Sequence, residues 1–279
     1  MTHKAVFFDV DGTYIRWQFF YEWIKAMVVA GFLPNHVLTK TKRALEIYQA
    51  RQGDFNEFIK VSIRSYQDNA RLKGILLEEA YEVAQDLVQE TGDHVHVFPR
   101  ELLNAAKRHG YLPIFISGSP SIAVKALAEH HGVEHFIGTD HPDDGDVEHP
   151  RFTGGKPKEW VYDKAEAVDH LQVTLGLDLK NSVAIGDSPS DAAMLSKVGY
   201  AIAFNPSRRF MKEHVYPQEW SIVVERKDNI LLLKHQSFRL LNDGISYLCA
   251  PIPVAIEDLS DVLPKDLAND QAFQSVIWP

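Results

Sequence analysis

Carboxylates, a glycine and a hydroxyl follow an apolar run near the start of the chain. The apolar residues 5–8 lead directly into Asp9, Asp11, Gly12 and Thr13. Paired carboxylates can supply a nucleophile, a general acid and base, or ligands for a metal ion. An ordinary Asp-Gly turn after a strand gives the same short pattern, so the motif needs support from elsewhere in the chain.

Two more polar clusters follow apolar runs further along. Residues 113–116 lead into Ser-Gly-Ser at 117–119, and residues 182–185 lead into a segment that contains Asp187 and Asp191. A serine hydroxyl, backbone amides and a helix N-terminus make a seat for an anion. Neighbouring carboxylates repel one another without a cation, and an all-oxygen set suits Mg²⁺. Together the clusters predict a Mg²⁺ site beside an anion seat.

The elements that must position these residues are buried parallel strands. Short apolar runs of this kind suit strands covered on both faces by helices. Two further runs, at 200–204 and 221–224, make five strand candidates that alternate with helical patterns. This alternation predicts an α/β fold with a doubly wound parallel sheet. The carboxyl ends of its strands meet at one edge, where the distant polar clusters would converge.

Helical patterns fill the rest of the chain. Between 14 and about 92, apolar residues recur at helical spacing, which predicts an insertion of about four helices with an N-cap at Asp54. We interpret its aromatic stripes as a hydrophobic core and not as a cofactor site. Further helices are predicted over 99–109, 121–131, 159–175 and 230–248. The helix over 159–175 carries Lys164, a local positive charge for an anionic ligand.

These elements predict three regions. Residues 1–13 and 93–225 form the α/β core, residues 14–92 form the helical insertion, and residues 226–279 form a C-terminal extension that packs on the core or binds a partner.

Composition excludes several classes of protein. The 279 residues are 45% hydrophobic and 24% charged, as in ordinary globular proteins. The net charge of -9 argues against a general affinity for nucleic acid. Cys249 is the only cysteine, which excludes an intramolecular disulfide and favours a reducing compartment. No apolar run approaches the roughly 20 residues that span a bilayer, and the first strand leaves no room for a signal peptide. We therefore expect a cytoplasmic protein without a membrane partner.

The order and spacing of the polar motifs resemble those of the haloacid dehalogenase (HAD) superfamily. Residues 9–13 are similar to its first motif, 117–119 to its second, Lys164 to its third and 186–191 to its fourth. The helical insertion between the first two motifs is similar to the cap of the subclass that contains phosphoserine phosphatase. The resemblance implies a HAD-like Rossmannoid core with a small all-helical cap.

The same resemblance implies a Mg²⁺-dependent phosphatase. Its substrate would be a small phosphorylated metabolite, hydrolysed through an aspartyl-phosphate intermediate. Asp9 would be the nucleophile and a metal ligand. Asp11 would protonate the leaving alcohol and then activate water, while its backbone carbonyl completes part of the metal shell. Asp11 also favours phosphoryl transfer over dehalogenation, which needs no acid for the leaving group.

The remaining motif residues would hold the phosphoryl group and support the site. The resemblance assigns Ser117, Gly118 and Lys164 to the phosphoryl oxygens. Asp187 would be the second metal carboxylate. Asp191 would be either a metal ligand through water or, as we favour, a residue that anchors the ligands, and Thr13 would also support them.

The functions of three other sets of charged or titratable residues must also be considered. Lys156 and Lys158 compete with Lys164 for the third motif. None of the thirteen histidines joins a cysteine or a carboxylate at a structural zinc spacing, so we expect them on the surface. Arg64 either points from the insertion toward a substrate carboxylate or lies on the surface.

Alternatives are open for the identity of the substrate and for the type of reaction. Where phosphoserine phosphatases carry a glutamate for the substrate amine, this chain has Trp17, Gln18 and Phe19, which argues against an amino-acid phosphate. A phosphotransferase would use the same intermediate and pass the phosphoryl group to another alcohol. A non-catalytic binding protein could keep the fold, and the extension from residue 226 is the feature in its favour.

Overall fold

The computed structural model describes residues 2–50, 52–53, 55–67, 71–158, 164–227, 229–233 and 259–277. The N-cap predicted at Asp54, the start of the helix predicted from 159 and most of the helix predicted to 248 lie outside these residues.

A seven-stranded sheet organises the described residues, in the order β3-β2-β1-β4-β5-β6-β7. Its strands are β1 (Ala5–Asp9), β2 (Leu112–Pro120), β3 (His135–Thr139), β4 (Val183–Gly186), β5 (Tyr200–Phe204), β6 (Ser221–Arg226) and β7 (Asn229–Leu233). Neighbours from β3 to β6 pair in parallel, whereas β7 pairs antiparallel to β6. The predicted doubly wound parallel sheet is confirmed.

The central strand β1 is buried on both faces. Val6 and Phe8 belong to one hydrophobic cluster, and Ala5 and Phe7 belong to the cluster on the other face. Successive side chains of a strand point to opposite faces, so an unbroken apolar run is what a strand between two helical layers requires.

Helices cover both faces of this sheet and continue at the carboxyl terminus. The helices are α1 (Phe19–Val29), α2 (His36–Gln49), α3 (Phe55–Gln67), α4 (Leu77–Thr91), α5 (Val97–Arg108), α6 (Ser121–His130), α7 (Lys164–Leu175), α8 (Ala192–Leu195), α9 (Arg208–Phe210), α10 (Lys265–Ala268) and α11 (Gln271–Ile277). A wide helical turn, Met211–Val215, follows α9 directly. Among the helices described, none has the length and apolar character needed to cross a bilayer.

The four helices α1 to α4 lie within the region predicted to be the helical insertion. Helix α1 packs against α4, α2 packs against α3, and α4 packs against α6 of the α/β part. Trp23 of α1 is buried in the same hydrophobic cluster as Phe8 and Phe115 of the sheet. The ring of Phe58 stacks on that of Trp17, with 6.4 Å between the centroids, and lies edge-on to Tyr21. The helical segment is therefore packed directly onto one face of the sheet.

Two strands differ from the prediction. β3 was absent from the five strand candidates, and the helix predicted over 230–248 is wrong for residues 230–233, which form β7. Pairing of Ile230 with Glu225 and of Leu232 with Val223 joins this run to β6. A short apolar run fits a helix or a strand equally well, and the partner strand decides between them.

Residues 259–277 of the C-terminal extension pack on α5, whereas its residues 229–233 form β7 of the sheet. Asp270 accepts two hydrogen bonds from Arg108 at the end of α5, of 2.7 and 2.9 Å, and one from the backbone N–H of Phe273. The ring of Phe273 lies against that of Phe98, with 5.4 Å between centroids.

Candidate active site

The site lies at the point in the sheet where the strand order reverses, between β1 and β4. β1 is flanked by β2 on one side and β4 on the other, and Asp9 is in register with Ile116, the residue before Ser117. In open α/β sheets, ligands bind outside the carboxyl ends of the strands at such a point. The first, second and fourth motifs therefore meet at one edge of the sheet.

Lys164, the first residue of α7, is buried between two carboxylates. Its Nζ donates to Asp9 Oδ1 and to Asp191 Oδ1, both at 2.6 Å, and to the carbonyl oxygen of Ile116 at 3.1 Å. Burial opposes the charge on this side chain, but the two carboxylates outweigh that effect and raise the pKa of Lys164 above its ordinary value. The lysine is a permanent cation fixed against Asp9.

One lysine does not balance the acidic groups around it. Burial, followed by the charge of Asp191, raises the pKa of Asp9 to about 7, although Lys164 acts in the opposite direction. Burial and the charges of Asp9 and Asp191 also raise the pKa of Asp187 well above its ordinary value. A further cation would relieve this repulsion.

Asp191 is held by the loop that follows β4. Its Oδ2 accepts hydrogen bonds from the backbone N–H groups of Asp187 and Ser188, at 3.1 and 3.0 Å, and from the Ser188 hydroxyl at 3.0 Å. A Cβ on Gly186 would lie 2.5 Å from Asp191 Cβ, so this close approach requires glycine. With its other oxygen on Lys164, Asp191 orders the loop and the lysine together.

Asp11 lies between the end of β2 and the start of α1. Its Oδ2 accepts hydrogen bonds from the hydroxyls of Ser117 and Ser119, at 2.7 and 2.8 Å, and its Oδ1 accepts one from the backbone N–H of Phe20 at 3.1 Å. The last bond places a carboxylate at the positive end of α1. Asp11 thus joins the helical segment to the sheet edge.

A tight turn connects Asp11 to the helical segment. Gly12 has a φ of 84°, and a Cβ there would lie 2.6 Å from Asp187 Oδ2 and 3.4 Å from Gln18 Nε2. The turn therefore requires glycine, and it places the buried Gln18 next to the acidic cluster. Thr13 is fully buried, and its hydroxyl has no hydrogen-bond partner within the described part of the chain.

The donor set suits a hard divalent cation. Carboxylate oxygens of Asp9, Asp187 and Asp191 all lie within 4.8 Å of one another. Both oxygens of Asp191 already have hydrogen-bond partners, whereas Asp9 and Asp187 carry the raised pKa values that indicate uncompensated negative charge. An all-oxygen set of this kind fits Mg²⁺.

The structure separates the predicted site residues from the alternatives. It brings together Asp9, Asp11, Ser117, Lys164, Asp187 and Asp191; their roles remain predictions. Gly118 follows Ser117, and its carbonyl oxygen accepts a bond from Thr139. Lys158 lies 3.8 Å from Glu166, and Lys156 and Arg64 are exposed.

Three further residues contribute to this arrangement in roles that the sequence did not assign to them. Ser119 donates to Asp11, Ser188 donates to Asp191, and Gln18 is buried beside the Gly12 turn. Both serines stand inside motifs recognised in the sequence, so position within a motif was the available signal. The signal for Gln18 was its place where phosphoserine phosphatases carry a glutamate for the substrate amine.

Comparison with known proteins decides the family. The sequence profile of the haloacid dehalogenase-like hydrolases matches residues 6–196, which is more than half of the chain. The chain belongs to this family. The predicted fold and the predicted HAD-type hydrolase are confirmed.

Relatives of this HAD-like hydrolase include named phosphatases. A phosphoserine phosphatase of Methanocaldococcus jannaschii is 26% identical over 237 residues, 83% of this chain and 97% of that enzyme. The "Inhibition of morphological differentiation protein" of Streptomyces azureus is 26% identical over 218 residues, 76% of each chain. The predicted branch, that of phosphoserine-phosphatase-like enzymes, is confirmed.

A solved structure agrees in fold. A phospho-aspartyl intermediate analogue of a phosphoserine phosphatase superposes with a TM-score of 0.52 at 19% identity and covers 81% of this chain and 95% of its own. At this identity the likeness extends to the fold alone.

Proposed function

We propose that this HAD-like hydrolase is a Mg²⁺-dependent phosphatase that hydrolyses a small phosphomonoester through an aspartyl-phosphate on Asp9. The observation that carries the proposal is the buried Lys164 held at 2.6 Å from Asp9. A nucleophilic carboxylate must accept a dianionic phosphate beside its own charge, and a fixed cation offsets the repulsion.

In the first step, a carboxylate oxygen of Asp9 attacks phosphorus. The bond between phosphorus and the ester oxygen breaks, and Asp11 gives its proton to the leaving alkoxide, which departs as an alcohol. The hydrogen bonds from the Ser119 hydroxyl and the Phe20 N–H hold Asp11 in one position during this transfer.

In the second step, water attacks the aspartyl-phosphate. Asp11, now ionised, accepts a proton from the attacking water, and the bond between phosphorus and the Asp9 oxygen breaks. Inorganic phosphate leaves, and the Asp9 carboxylate is restored. The same residue therefore acts as acid and then as base.

The transferring phosphoryl oxygens need donors throughout both steps. We assign this function to the Lys164 ammonium at the start of α7, and to the Ser117 hydroxyl and the backbone N–H of Gly118 in β2. In the absence of substrate the Ser117 hydroxyl donates to Asp11. It would exchange this partner for a phosphoryl oxygen when substrate enters.

Asp9 and Asp187, with the backbone carbonyl of Asp11, would hold Mg²⁺, while Asp191 and Thr13 would support them. When bound, the ion would neutralise phosphoryl oxygens and the surplus charge of the carboxylates.

We further propose that residues 14–92 act as a cap over an α/β core of residues 1–13 and 93–225, whose sheet is extended by β7 (Asn229–Leu233). Support comes from the hydrogen bond that the backbone N–H of Phe20 in α1 donates to Asp11, because a movement of α1 would displace the Asp11 carboxyl group. Closure would exclude bulk water from the aspartyl-phosphate. With Gln18 beside the acidic cluster, a phosphomonoester without an ammonium group is the proposed substrate class.

Release of inorganic phosphate tests the proposal. We would assay a generic aryl phosphate and a panel of metabolite monoesters, with Mg²⁺ or with EDTA. The variant Asp9→Asn should lose turnover, whereas the matched control Asp169→Asn should keep it, because Asp169 is an exposed residue paired with Lys197. Absence of turnover on every ester by the unaltered chain, or full turnover by Asp9→Asn, would overturn the proposal.

A further inference from the structure

A second cluster of ligand-type side chains lies away from the acidic site. Asp93 follows α4, His130 is the last residue of α6, and His131 follows it. His130 Nε2 lies 3.0 Å from Asp93 Oδ1, and one ligand atom from each of the three residues lies within 4.8 Å of the others. Asp93 and His130 are exposed, so an ion from solvent has direct access.

The spacing of these atoms fits a small tetrahedral ion. Zinc binds histidine nitrogen and carboxylate oxygen at about 2.0–2.2 Å, which separates two ligands of a tetrahedron by about 3.3 Å. The His130 to Asp93 distance of 3.0 Å is that of a hydrogen bond, and it would lengthen by about 0.3 Å to this edge length if an ion replaced the proton. The third residue, His131, is held beside this pair by its own hydrogen bond to Gly92.

The third residue, His131, is already fixed in orientation. Its Nε2 donates to the carbonyl oxygen of Gly92 at 2.9 Å, which leaves Nδ1 as the atom with a lone pair. Metal-binding histidines commonly donate their other ring nitrogen to a carbonyl in this way. The ring also lies edge-on to that of Tyr14, with 4.9 Å between centroids.

The backbone is shaped for the close approach of the two segments. A Cβ on Gly92 would lie 3.1 Å from His130 Cδ2 and 2.5 Å from the carbonyl oxygen of Val88. Glycine at this position lets the chain that leaves α4 lie directly against the end of α6. Asp93 is brought to the histidines as a result.

We propose that Asp93, His130 and His131 form a binding site for a divalent transition-metal ion of the Zn²⁺ class, with water as the fourth ligand. Two imidazoles and one carboxylate select Zn²⁺, Ni²⁺ or Cu²⁺ over Mg²⁺, which takes oxygen ligands. The chain would thus hold two ions of different chemistry at separate places. The proposal is independent of the reaction at Asp9.

The position of the site gives the ion a structural consequence. Asp93 lies in the connection by which the helical segment returns to α5, and the two histidines lie at the C-terminal end of α6, a helix that covers the sheet. A bound ion would tie this connection to the end of α6.

Calorimetric titration of the full chain with Zn²⁺ tests the site. Saturating Mg²⁺ would be present to occupy the oxygen ligands of Asp9 and Asp187. We expect one Zn²⁺ site, weakened at least about tenfold in Asp93→Asn and in His130→Gln. The control His149→Gln alters an exposed histidine of another loop and should leave the affinity unchanged. Equal affinities in all variants would overturn the proposal.

Electron paramagnetic resonance with Cu²⁺ provides a second readout that identifies the ligand atoms. Copper bound here should show hyperfine coupling to imidazole nitrogen in the unaltered chain and in Asp9→Asn. His130→Gln should lose part of this coupling. Thermal unfolding of each variant would establish that the exposed substitutions leave the fold intact. A spectrum without nitrogen coupling, or one that His130→Gln leaves unchanged, would overturn the assignment.

Discussion

At the scale of single residues, the site depends on an imbalance of charge. Lys164 neutralises part of the negative charge of Asp9 and Asp191, and Asp187 and Asp11 add to what remains. Removing one partner of a buried ion pair leaves the other charge without compensation, which costs about 3–5 kcal/mol. The lysine should therefore matter to stability as well as to catalysis.

Replacing Lys164 with methionine should abolish most of the activity. We expect phosphate release to fall by at least about 10²–10³-fold, because the cation beside the nucleophile and the phosphoryl oxygens is lost. The midpoint of urea unfolding should fall as well. Lys158→Met is the matched control, since Lys158 is exposed and 3.8 Å from Glu166. Loss of activity in Lys158→Met with retention in Lys164→Met would assign the third motif to the other lysine.

The raised pKa of Asp9 predicts how pH affects the metal-free protein. The unfolded chain releases the Asp9 proton near 3.8, whereas the folded protein holds it to about 7. Between these values the folded state binds more protons, so this group lowers the free energy of unfolding as pH rises. Since Mg²⁺ competes with that proton, the stabilisation by Mg²⁺ should grow over the same range.

Thermal unfolding of the unaltered chain and of Asp9→Asn, with and without Mg²⁺, would measure this effect. Groups distant from the site are common to both proteins, so the difference between their pH profiles reports Asp9 together with Asp187, whose pKa depends on the charge of Asp9. We expect the metal-free variant to gain stability relative to the unaltered chain as pH rises toward 7. A difference that is constant with pH would contradict the assignment of the pKa.

At the scale of elements, the sequence predicts what local pattern determines. β1, β4 and β5 are marked by apolar runs, and the polar residues that follow the first two of these strands are visible without the structure. Partners distant in the chain determine the rest. β7 forms because its residues complete the ladder of β6, and neither strand alone specifies that pairing.

The start of helix α5 shows the same limit of prediction from local sequence. The sequence predicts its start at Pro99, yet the helix begins at Val97. Glu225 of β6 accepts hydrogen bonds from the backbone N–H groups of Val97 and Phe98, at 2.9 and 2.8 Å. These bonds satisfy donors that a helix start leaves free. Because Glu225 is 128 residues from Val97 in the sequence, no local pattern around Val97 could have predicted this helix start.

Glutamine at position 225 should therefore destabilise the fold. Burial acts to raise the pKa of Glu225, but donors from His96, Phe98 and Val97 outweigh it and hold the pKa below its usual value. We expect Glu225→Gln to cost about 1–3 kcal/mol in urea unfolding at neutral pH. Glu213→Gln, which removes an exposed pair with Arg209, should cost less than about 0.5 kcal/mol.

The cost of Glu225→Gln should also depend on pH. A carboxylate with a lowered pKa stabilises the fold above its unfolded value of 4.5, and this contribution is lost as pH falls through the folded value. The two Glu variants should therefore approach each other in stability in acid. A cost for Glu225→Gln that stays constant down to acidic pH would indicate that shape and not charge is what the position requires.

At the scale of the whole molecule, chain order predicted the convergence of the site, because a parallel sheet gathers its strand ends at one edge. The role of the C-terminal segment could not be predicted in this way. Its attachment depends on Asp270, which accepts hydrogen bonds from Arg108 and His109 at the end of α5 and caps its own helix through Phe273. Each of these contacts joins sequence positions that no periodicity relates.

The C-terminal segment should therefore unfold with the rest of the protein. Phe273 is fully buried in the same hydrophobic cluster as Phe98, so Phe273→Ala should lower the free energy of unfolding by about 3–5 kcal/mol. Ser275→Ala, at an exposed position of the same helix, should stay within about 0.5 kcal/mol. Urea unfolding followed by circular dichroism and by tryptophan fluorescence should give coincident transitions that shift together in Phe273→Ala. If the main transition keeps its midpoint while protease cuts the segment more readily, the segment is a separate unit that rests on the core without stabilising it.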